Sequence, residues 1–460
     1  MISMKKIGKL KTYASNEIEK SYVSIGFECL DRELFKPDKC YDLLQATGVK
    51  YARCQTGWAK CEKEKGIYDF TWLDSIADNL SERGLIPWFN VGFGNPLYMP
   101  DVPNETAVGC VPLFYGEETL TAWKNFVSAL AEHYKSRVTH FEIWNEPNLE
   151  HFWYPEKPNG AHYAQFVKMT ASVIRSVIPG AKIIADVSSP YDFEYTEIFL
   201  DHIDKRDIDV FSYHAYSAIP EFRYSQIVAL LRRMLDARGM QNVELWQGEA
   251  GYPSWAYKGH WLAPNGCESE RSQAVWQLRR FFLDVYNGAK LSSFFQMAGM
   301  WEKPYAKSVE VIQKPAAHGI LNGITYTPKK SYETITNLSA IFAGDIKPSE
   351  TYMHVDIRSS SALELLSCIY MSFEKNGIPV YAYYLPTEVS ENHEIRYKAD
   401  VCVCHRFDAP VLIDPYTSDV YEVDEMARVN GMTKYKNLPI RDYPLILTDV
   451  SSFEIEAEAF

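Results

Sequence analysis

From about residue 22 the chain alternates short β-branched and aromatic runs with longer segments of helical period, and it does so eight times. The strand-like runs fall at residues 22–27, 49–54, 85–93, 138–144, 183–187, 210–216, 243–247 and 291–297. Segments of helical period follow at 37–47, 71–84, 117–134, 162–178, 195–203, 226–238, 270–286 and 331–342. In the third of these, Leu120, Trp123, Phe126, Val127 and Leu130 share one face, as a helix covering a sheet requires. Thr71 reads as the cap of the second, and Pro179-Gly180 stops the fourth. Eight consecutive strand–helix units predict an α/β fold, a closed (β/α)8 (TIM) barrel over residues 21–345.

After about residue 345 the rhythm changes. Short strand-like runs at 352–357, 362–371, 379–384, 400–404, 411–413 and 445–447 are separated by turns such as Lys375-Asn376-Gly377 and show no helical period. That pattern predicts a small antiparallel β-sandwich over residues 346–460. Residues 1–20 precede the barrel and could lend the sandwich a strand. A length of 460 residues suits one large domain and one small one.

Bulk properties exclude some functions. With 47 basic and 60 acidic residues the net charge is −13, which argues against binding nucleic acid or an anionic membrane, since both need a basic surface. No apolar run approaches the length of a membrane span. The nine cysteines are scattered, and Cys402-Val403-Cys404 has neither zinc spacing nor a matching second pair. Free, mostly buried thiols are expected, a pattern of reducing compartments. The first residues carry lysines but no apolar run of signal-peptide type, so the expected location is the cytoplasm.

In a parallel barrel, chemistry sits at the C-terminal ends of the strands. The fourth run ends in Phe141-Glu142-Ile143-Trp144-Asn145-Glu146-Pro147-Asn148, and the proline forces the chain out of the ladder just after a carboxylate. The seventh ends in Leu245-Trp246-Gln247-Gly248-Glu249-Ala250-Gly251. The string Trp144-Asn145-Glu146-Pro147-Asn148 resembles the acid/base motif of the retaining glycoside hydrolases of clan A. Its continuation Leu149-Glu150-His151-Phe152-Trp153, then Tyr163 and Thr170-Ala171, looks most like glycoside hydrolase family 39, which contains β-xylosidases and α-L-iduronidases. The resemblance covers roughly residues 20–345.

The resemblance implies a retaining glycosidase with Glu146 as general acid/base and Glu249 as nucleophile. The spacing of 103 residues suits three strand–helix units. Double displacement needs one carboxyl kept protonated and one ionised, close together. Asn145 would hydrogen-bond the sugar 2-hydroxyl. Arg53, ending the second run, would keep Glu249 ionised, and His214 and Tyr216 would stand near the nucleophile. Trp301 would floor the sugar pocket, Trp58 and Trp153 are further aromatic candidates, and Glu28 would touch a hydroxyl. One departure stands out: family 39 more often has Thr-Glu or Ser-Glu at the nucleophile, whereas this chain has Gly248-Glu249. The long stretch 94–116, rich in Gly, Asn and Pro, is expected to wall the cleft.

The expected substrate is a short β-linked, xylosidase-type oligosaccharide, with no metal and no organic cofactor. The same residues fit a β-glucosidase, β-galactosidase, β-mannosidase or endo-glycanase, or a sugar-binding protein without chemistry. A metal-dependent barrel would need His, Asp and Glu at several strand ends, and His214 has no partner histidine at neighbouring strand tips. Oligomeric state stays open, a homo-oligomer included.

Overall fold

A computed structural model of the chain describes residues 4–100, 102–267, 269–300, 317–358, 368–389, 397–424 and 426–457. Strand β1 (Lys6–Leu10) precedes the barrel. The barrel strands are β2 (Val23–Gly26), β3 (Tyr51–Gln55), β4 (Ile86–Val91), β5 (His140–Ile143), β6 (Lys182–Val187), β7 (Val210–Tyr213), β8 (Glu244–Ala250) and β9 (Ser292–Phe294). Each pairs in parallel with the next, and β9 closes on β2. The helices Tyr41–Ala46, Thr71–Glu82, Glu117–Tyr134, Gly160–Val177, Phe193–His202, Tyr224–Asp236, Glu270–Tyr286 and Lys330–Ile341 follow them in turn. The expected eight-fold barrel is therefore present. No helix among the described residues is long and apolar enough to cross a membrane.

Local chemistry explains the element ends. Asn159 caps Gly160–Val177 by accepting hydrogen bonds from the amides of Ala161 and His162. Thr71 is not a cap: it is the first helical residue, and Asp69 Oδ1 accepts from its amide at 2.9 Å. Side chains two apart on a strand share a face, so Trp88 and Asn90, Ile184 and Asp186, Val210 and Ser212, and Trp246 and Gly248 point into the barrel in pairs. The first members, with Leu291, form a small apolar cluster of their own in which Trp88 and Trp246 meet edge to face with centroids 5.5 Å apart. The later members reach the polar end.

The antiparallel strands form two sheets. An eight-stranded one runs Ile346–Ser349, Ile369–Lys375, Ile378–Tyr384, Leu445–Asp449, Pro410–Ile413, Asp419–Glu422, β1, Ile455–Glu456. A four-stranded one runs Met353–Arg358, Tyr397–Val403, Met432–Ile440, Met426–Val429. β1 lies between Asp419–Glu422 and Ile455–Glu456. The turn expected at Lys375-Asn376-Gly377 is a two-residue hairpin, with Lys375 opposite Ile378 and positive φ at Asn376 (52°) and Gly377 (82°), the backbone that Asn-Gly favours. Part of the run expected at 362–371 lies outside the described residues. All nine cysteines are free, and most are buried.

These sheets grip the barrel near its C-terminal end. Tyr384 donates to Glu221 at 2.7 Å, and Arg279 grips the same carboxylate with two nitrogens at 2.6 Å while donating to the Thr387 carbonyl at 2.8 Å. Asn265, on the loop after β8, donates to Glu388.

Candidate active site

The site grows from one guanidinium. Arg53, on β3, is fully buried. Its Nε donates to Glu142 Oε2 at 2.7 Å, Nη1 to Glu28 Oε2 at 2.8 Å and to Glu249 Oε2 at 2.6 Å, and Nη2 to Asn145 Oδ1 at 2.8 Å. Beneath it the Trp88 ring lies with its centroid 5.5 Å from Cζ, a cation–π contact in a dry setting. The planar fork of five donors lets one side chain tie four strand ends together.

Glu146 leaves β5 on strained backbone, with φ of 71° at Trp144 and 46° at Glu146. A left-handed tryptophan costs of order 1–3 kcal/mol and persists because its surroundings fix it. Its amide donates to Val91 O at 3.1 Å and its indole to Phe152 O at 2.6 Å, and the ring packs edge-on against Phe93, Trp153 and Phe166. The Glu146 amide donates to Asp186 Oδ2 at 2.6 Å, and Oε1 shares a hydrogen bond with His214 Nδ1 at 2.8 Å. The other imidazole nitrogen lies 3.1 Å from Asp186 Oδ1. Burial pushes the Glu146 carboxyl above its ordinary range and lowers His214 to about 4, so the imidazole is neutral at pH 7.

Glu249 is aimed by a bulge. Between Gln247 and Ala250, β8 spends three residues where β9 spends two, Ser292 to Phe294, and such a bulge re-aims a side chain. Tyr216 donates to Glu249 Oε1 at 2.7 Å while Arg53 holds Oε2. A carboxylate oxygen of Glu249 lies within 4.8 Å of one of Glu146. Gly248 has a steric reason: a Cβ there would stand 2.1 Å from Ser212 Oγ, so a larger residue would have to displace the Ser212 hydroxyl.

Of the residues singled out in the sequence, Glu28, Arg53, Asn145, Glu146, His214, Tyr216 and Glu249 therefore meet in one cluster. Trp58 and Trp153 do not join it. Trp58 is buried with its indole donating to Glu62 at 2.6 Å and its ring stacked between Tyr98 and Phe126. Trp153 is buried among Phe114, Trp144, Tyr163 and Phe166. Both are core packing. Trp301 lies outside the described residues. The 94–116 stretch is pinned to the loop after β5 through Val111 N to Tyr154 O at 2.9 Å and Tyr154 N to Gly109 O at 2.8 Å.

Sequence reading passed over Glu142, Asp186 and Asn90. Asn90 Nδ2 donates to Glu142 Oε2 at 2.7 Å. The missed signal was an acidic residue in mid-strand, as in Phe141-Glu142-Ile143 and Ala185-Asp186-Val187, because a buried charge needs a partner. Burial also drives Asp186 and Glu28 well above the ordinary carboxylate range. Glu28 Oε1 and both side-chain heteroatoms of Gln296 are buried without a protein partner. Two groupings could hold a metal ion, Glu142 with Asp186 and His214, or Glu146 with His214 and Glu249. They share His214, which turns Nδ1 to Glu146 and its other ring nitrogen to Asp186.

Comparison with known proteins points to one family over nearly half of the chain. Residues 36–247 match the model for glycosyl hydrolases family 39, a stretch that holds Arg53, Glu146 and His214 and stops two residues before Glu249. Over that stretch the chain is similar to the family 39 glycoside hydrolases. A β-xylosidase of Geobacillus stearothermophilus is 27% identical over 169 residues, 34% of this chain and 32% of that protein. One of Caldicellulosiruptor saccharolyticus is 26% identical over 194 residues, 38% of this chain and 36% of that protein. The chain thus matches about a third of the length of these curated relatives. In fold, the chain is similar to a family 39 glycoside hydrolase from Bacteroides cellulosilyticus WH2 (TM-score 0.67, 17% identity, covering 95% of this chain and 82% of the other). A family 39 β-xylosidase from Caulobacter crescentus superposes with TM-score 0.59 at 17% identity, covering 95% and 97%.

Proposed function

We propose that the protein hydrolyses β-linked, xylose-type oligosaccharides with retention, using Glu249 as nucleophile and Glu146 as acid/base. The observation that carries the reading is the pair of carboxylates with oxygens within 4.8 Å in unlike surroundings. Retaining enzymes hold their carboxyls about 5–5.5 Å apart, whereas inverting ones need about 6.5–9.5 Å for a water between them. Glu249 accepts hydrogen bonds from Arg53 and Tyr216, one on each oxygen. Glu146 is raised by burial and sits against a neutral imidazole, so it keeps a proton to give.

In the first step a Glu249 oxygen attacks the anomeric carbon while Glu146 passes its proton to the departing glycosidic oxygen. The C–O bond breaks, and a glycosyl ester on Glu249 remains. In the second, Glu146, now a carboxylate, takes a proton from water, whose oxygen displaces Glu249 from the anomeric carbon. Asn145, oriented by Arg53 on its carbonyl side, keeps its amide nitrogen as donor to the sugar 2-hydroxyl. Two curated relatives are β-xylosidases, which favours xylose among the sugars of the clan.

A panel of nitrophenyl glycosides with wild type, Glu146→Ala and Glu249→Ala tests this. Cleavage of the β-xyloside is expected, with azide yielding a β-glycosyl azide from Glu146→Ala and the α-anomer from Glu249→Ala. Cleavage of another β-glycoside alone would replace the sugar but keep the mechanism. No cleavage of any substrate, oligosaccharides included, would sink the catalytic reading, and loss of activity on chelation would redirect it to a metal at His214.

A further inference from the structure

Trp261 is the most exposed large apolar side chain among the described residues, at 63%. It stands on the loop between β8 and the helix Glu270–Tyr286, and that loop is tightly built. Ala256 and Cys267 exchange amide–carbonyl hydrogen bonds at 2.8 and 2.9 Å, Gly259 N donates to Pro264 O at 2.8 Å, and Ala263 N donates to His260 O at 3.1 Å. The two residues after Trp261, Leu262 and Ala263, are buried. The loop therefore tucks in its small apolar side chains and turns its largest ring to water. Water-exposed indole is unfavourable for the isolated fold, and an exposed apolar face bordering a polar cleft marks a binding surface.

The ring is placed. Its centroid is 5.7 Å from that of Tyr216, whose hydroxyl reaches Glu249. His260 stacks on it at 26° with centroids 6.2 Å apart, and Tyr257, itself 51% exposed, meets His260 edge-on at 5.6 Å. Tyr257, His260, Trp261 and Tyr216 are thus linked by successive ring contacts, and the last of them reaches Glu249. The sugar under attack must place its anomeric carbon between Glu146 and Glu249, and Trp261 is connected to that site through Tyr216. Trp261 is one ring further out.

We propose that Trp261 is the stacking platform for the pyranose on the leaving-group side of the scissile bond. The proposal rests on the assignment of Glu146 and Glu249 above. Flat apolar rings with polar edges suit the C–H face of a neutral sugar, and the sheet contacts at Asn265 and Glu221 hold the loops bearing Trp261 and Tyr216 in place.

The test compares two substrates in Trp261→Ala: the β-linked disaccharide of the sugar that the glycoside panel identifies, and the matching β-glycosyl fluoride, whose leaving group has no ring to stack. We expect kcat/KM on the disaccharide to fall about tenfold further than on the fluoride, with Trp261→Phe in between. Trp261→Leu, which keeps apolar bulk without the large face, replaces the alanine variant if that one does not fold. Equal losses on both substrates, or none, overturn the proposal. So does a loss that appears only when the sugar chain is lengthened at its non-reducing end, which would put Trp261 on the opposite side of the bond. If wild type cleaves the fluoride but not the panel, the mechanism stands and the fluoride serves with an unsubstituted disaccharide. If wild type cleaves nothing, the catalytic reading fails by itself. Fluorescence titration with xylotriose then decides: a saturable change lost in Trp261→Leu supports the platform, and no change overturns it.

Discussion

The inner and outer halves of the barrel are built from the same strands two residues apart, yet they follow opposite rules. At the inner end Trp88, Ile184, Val210, Trp246 and Leu291 are dry, apolar and well paired. At the outer end one arginine faces Glu28, Glu142 and Glu249 directly, with Glu146 and Asp186 close by. Burial of apolar rings stabilises the fold, whereas several carboxyls around one cation cannot all ionise without cost. The two halves meet where Arg53 rests on Trp88. The inner half supplies stability and rigidity, and the outer half gathers buried charges at a cost to stability.

The contrast breaks first at Glu249. Glu249→Ala is expected to lower hydrolysis of the best nitrophenyl glycoside by about 10⁴-fold or more, with a thermal midpoint equal to or above wild type because a buried acid is gone. A midpoint lowered as far as that of a core variant would mean that the outer half is structural. Arg53→Met strands Glu28 and Glu142 without their cation and should cost about 3–5 kcal/mol in denaturant unfolding, together with activity. Trp88→Ala should cost a similar ~3–5 kcal/mol while the protein that stays folded keeps most of its kcat, so the pair separates charge support from packing.

Tyr216→Phe removes one hydrogen bond to Glu249 and is expected to lower kcat/KM about tenfold with little change in stability. A smaller effect concerns pH. The His214 imidazole is held to about 4 when folded, against about 6.5 unfolded. The unfolded chain therefore binds more protons between those values, and His214 contributes stability that is lost as pH falls from about 6.5 to about 4. Glu146 has the opposite sign: raised by burial, it keeps its proton above the ordinary range, and kcat/KM should fall as pH rises through its folded value. Melting curves of wild type and His214→Gln across this range, with pH–rate profiles of wild type, check both directions. Parallel melting curves for the two proteins would remove His214 from the account.

Much of the fold was legible because it rests on local periodicity. Eight apolar runs spaced by amphipathic helices leave little besides a barrel, and the proline after Glu146 and the helix stop at Pro179-Gly180 act through their own backbone. Strand ends were less legible. β8 runs on through Glu249 to Ala250, past the expected end at 247, because the bulge against β9 keeps it paired, and no local sequence rule encodes a neighbour's register. Several antiparallel strands, among them Lys6–Leu10, Asp419–Glu422 and Met432–Ile440, carry no strong alternation and exist through partners remote in sequence.

The site divides the same way. Sequence by itself determined which carboxylates end strands four and seven, since strand order puts them on one face of the barrel whatever the side-chain details. Tertiary structure decided that Trp58 and Trp153 serve the core, that Glu142 and Asp186 complete the charge cluster, and that Gly248 answers to Ser212. It also decided that Trp261, an unremarked loop residue in the sequence, packs beside Tyr216, whose hydroxyl donates to Glu249. Burial, partner and direction are properties of contacts between distant segments, and a strand pattern fixes the face a residue occupies but not the atoms it meets there.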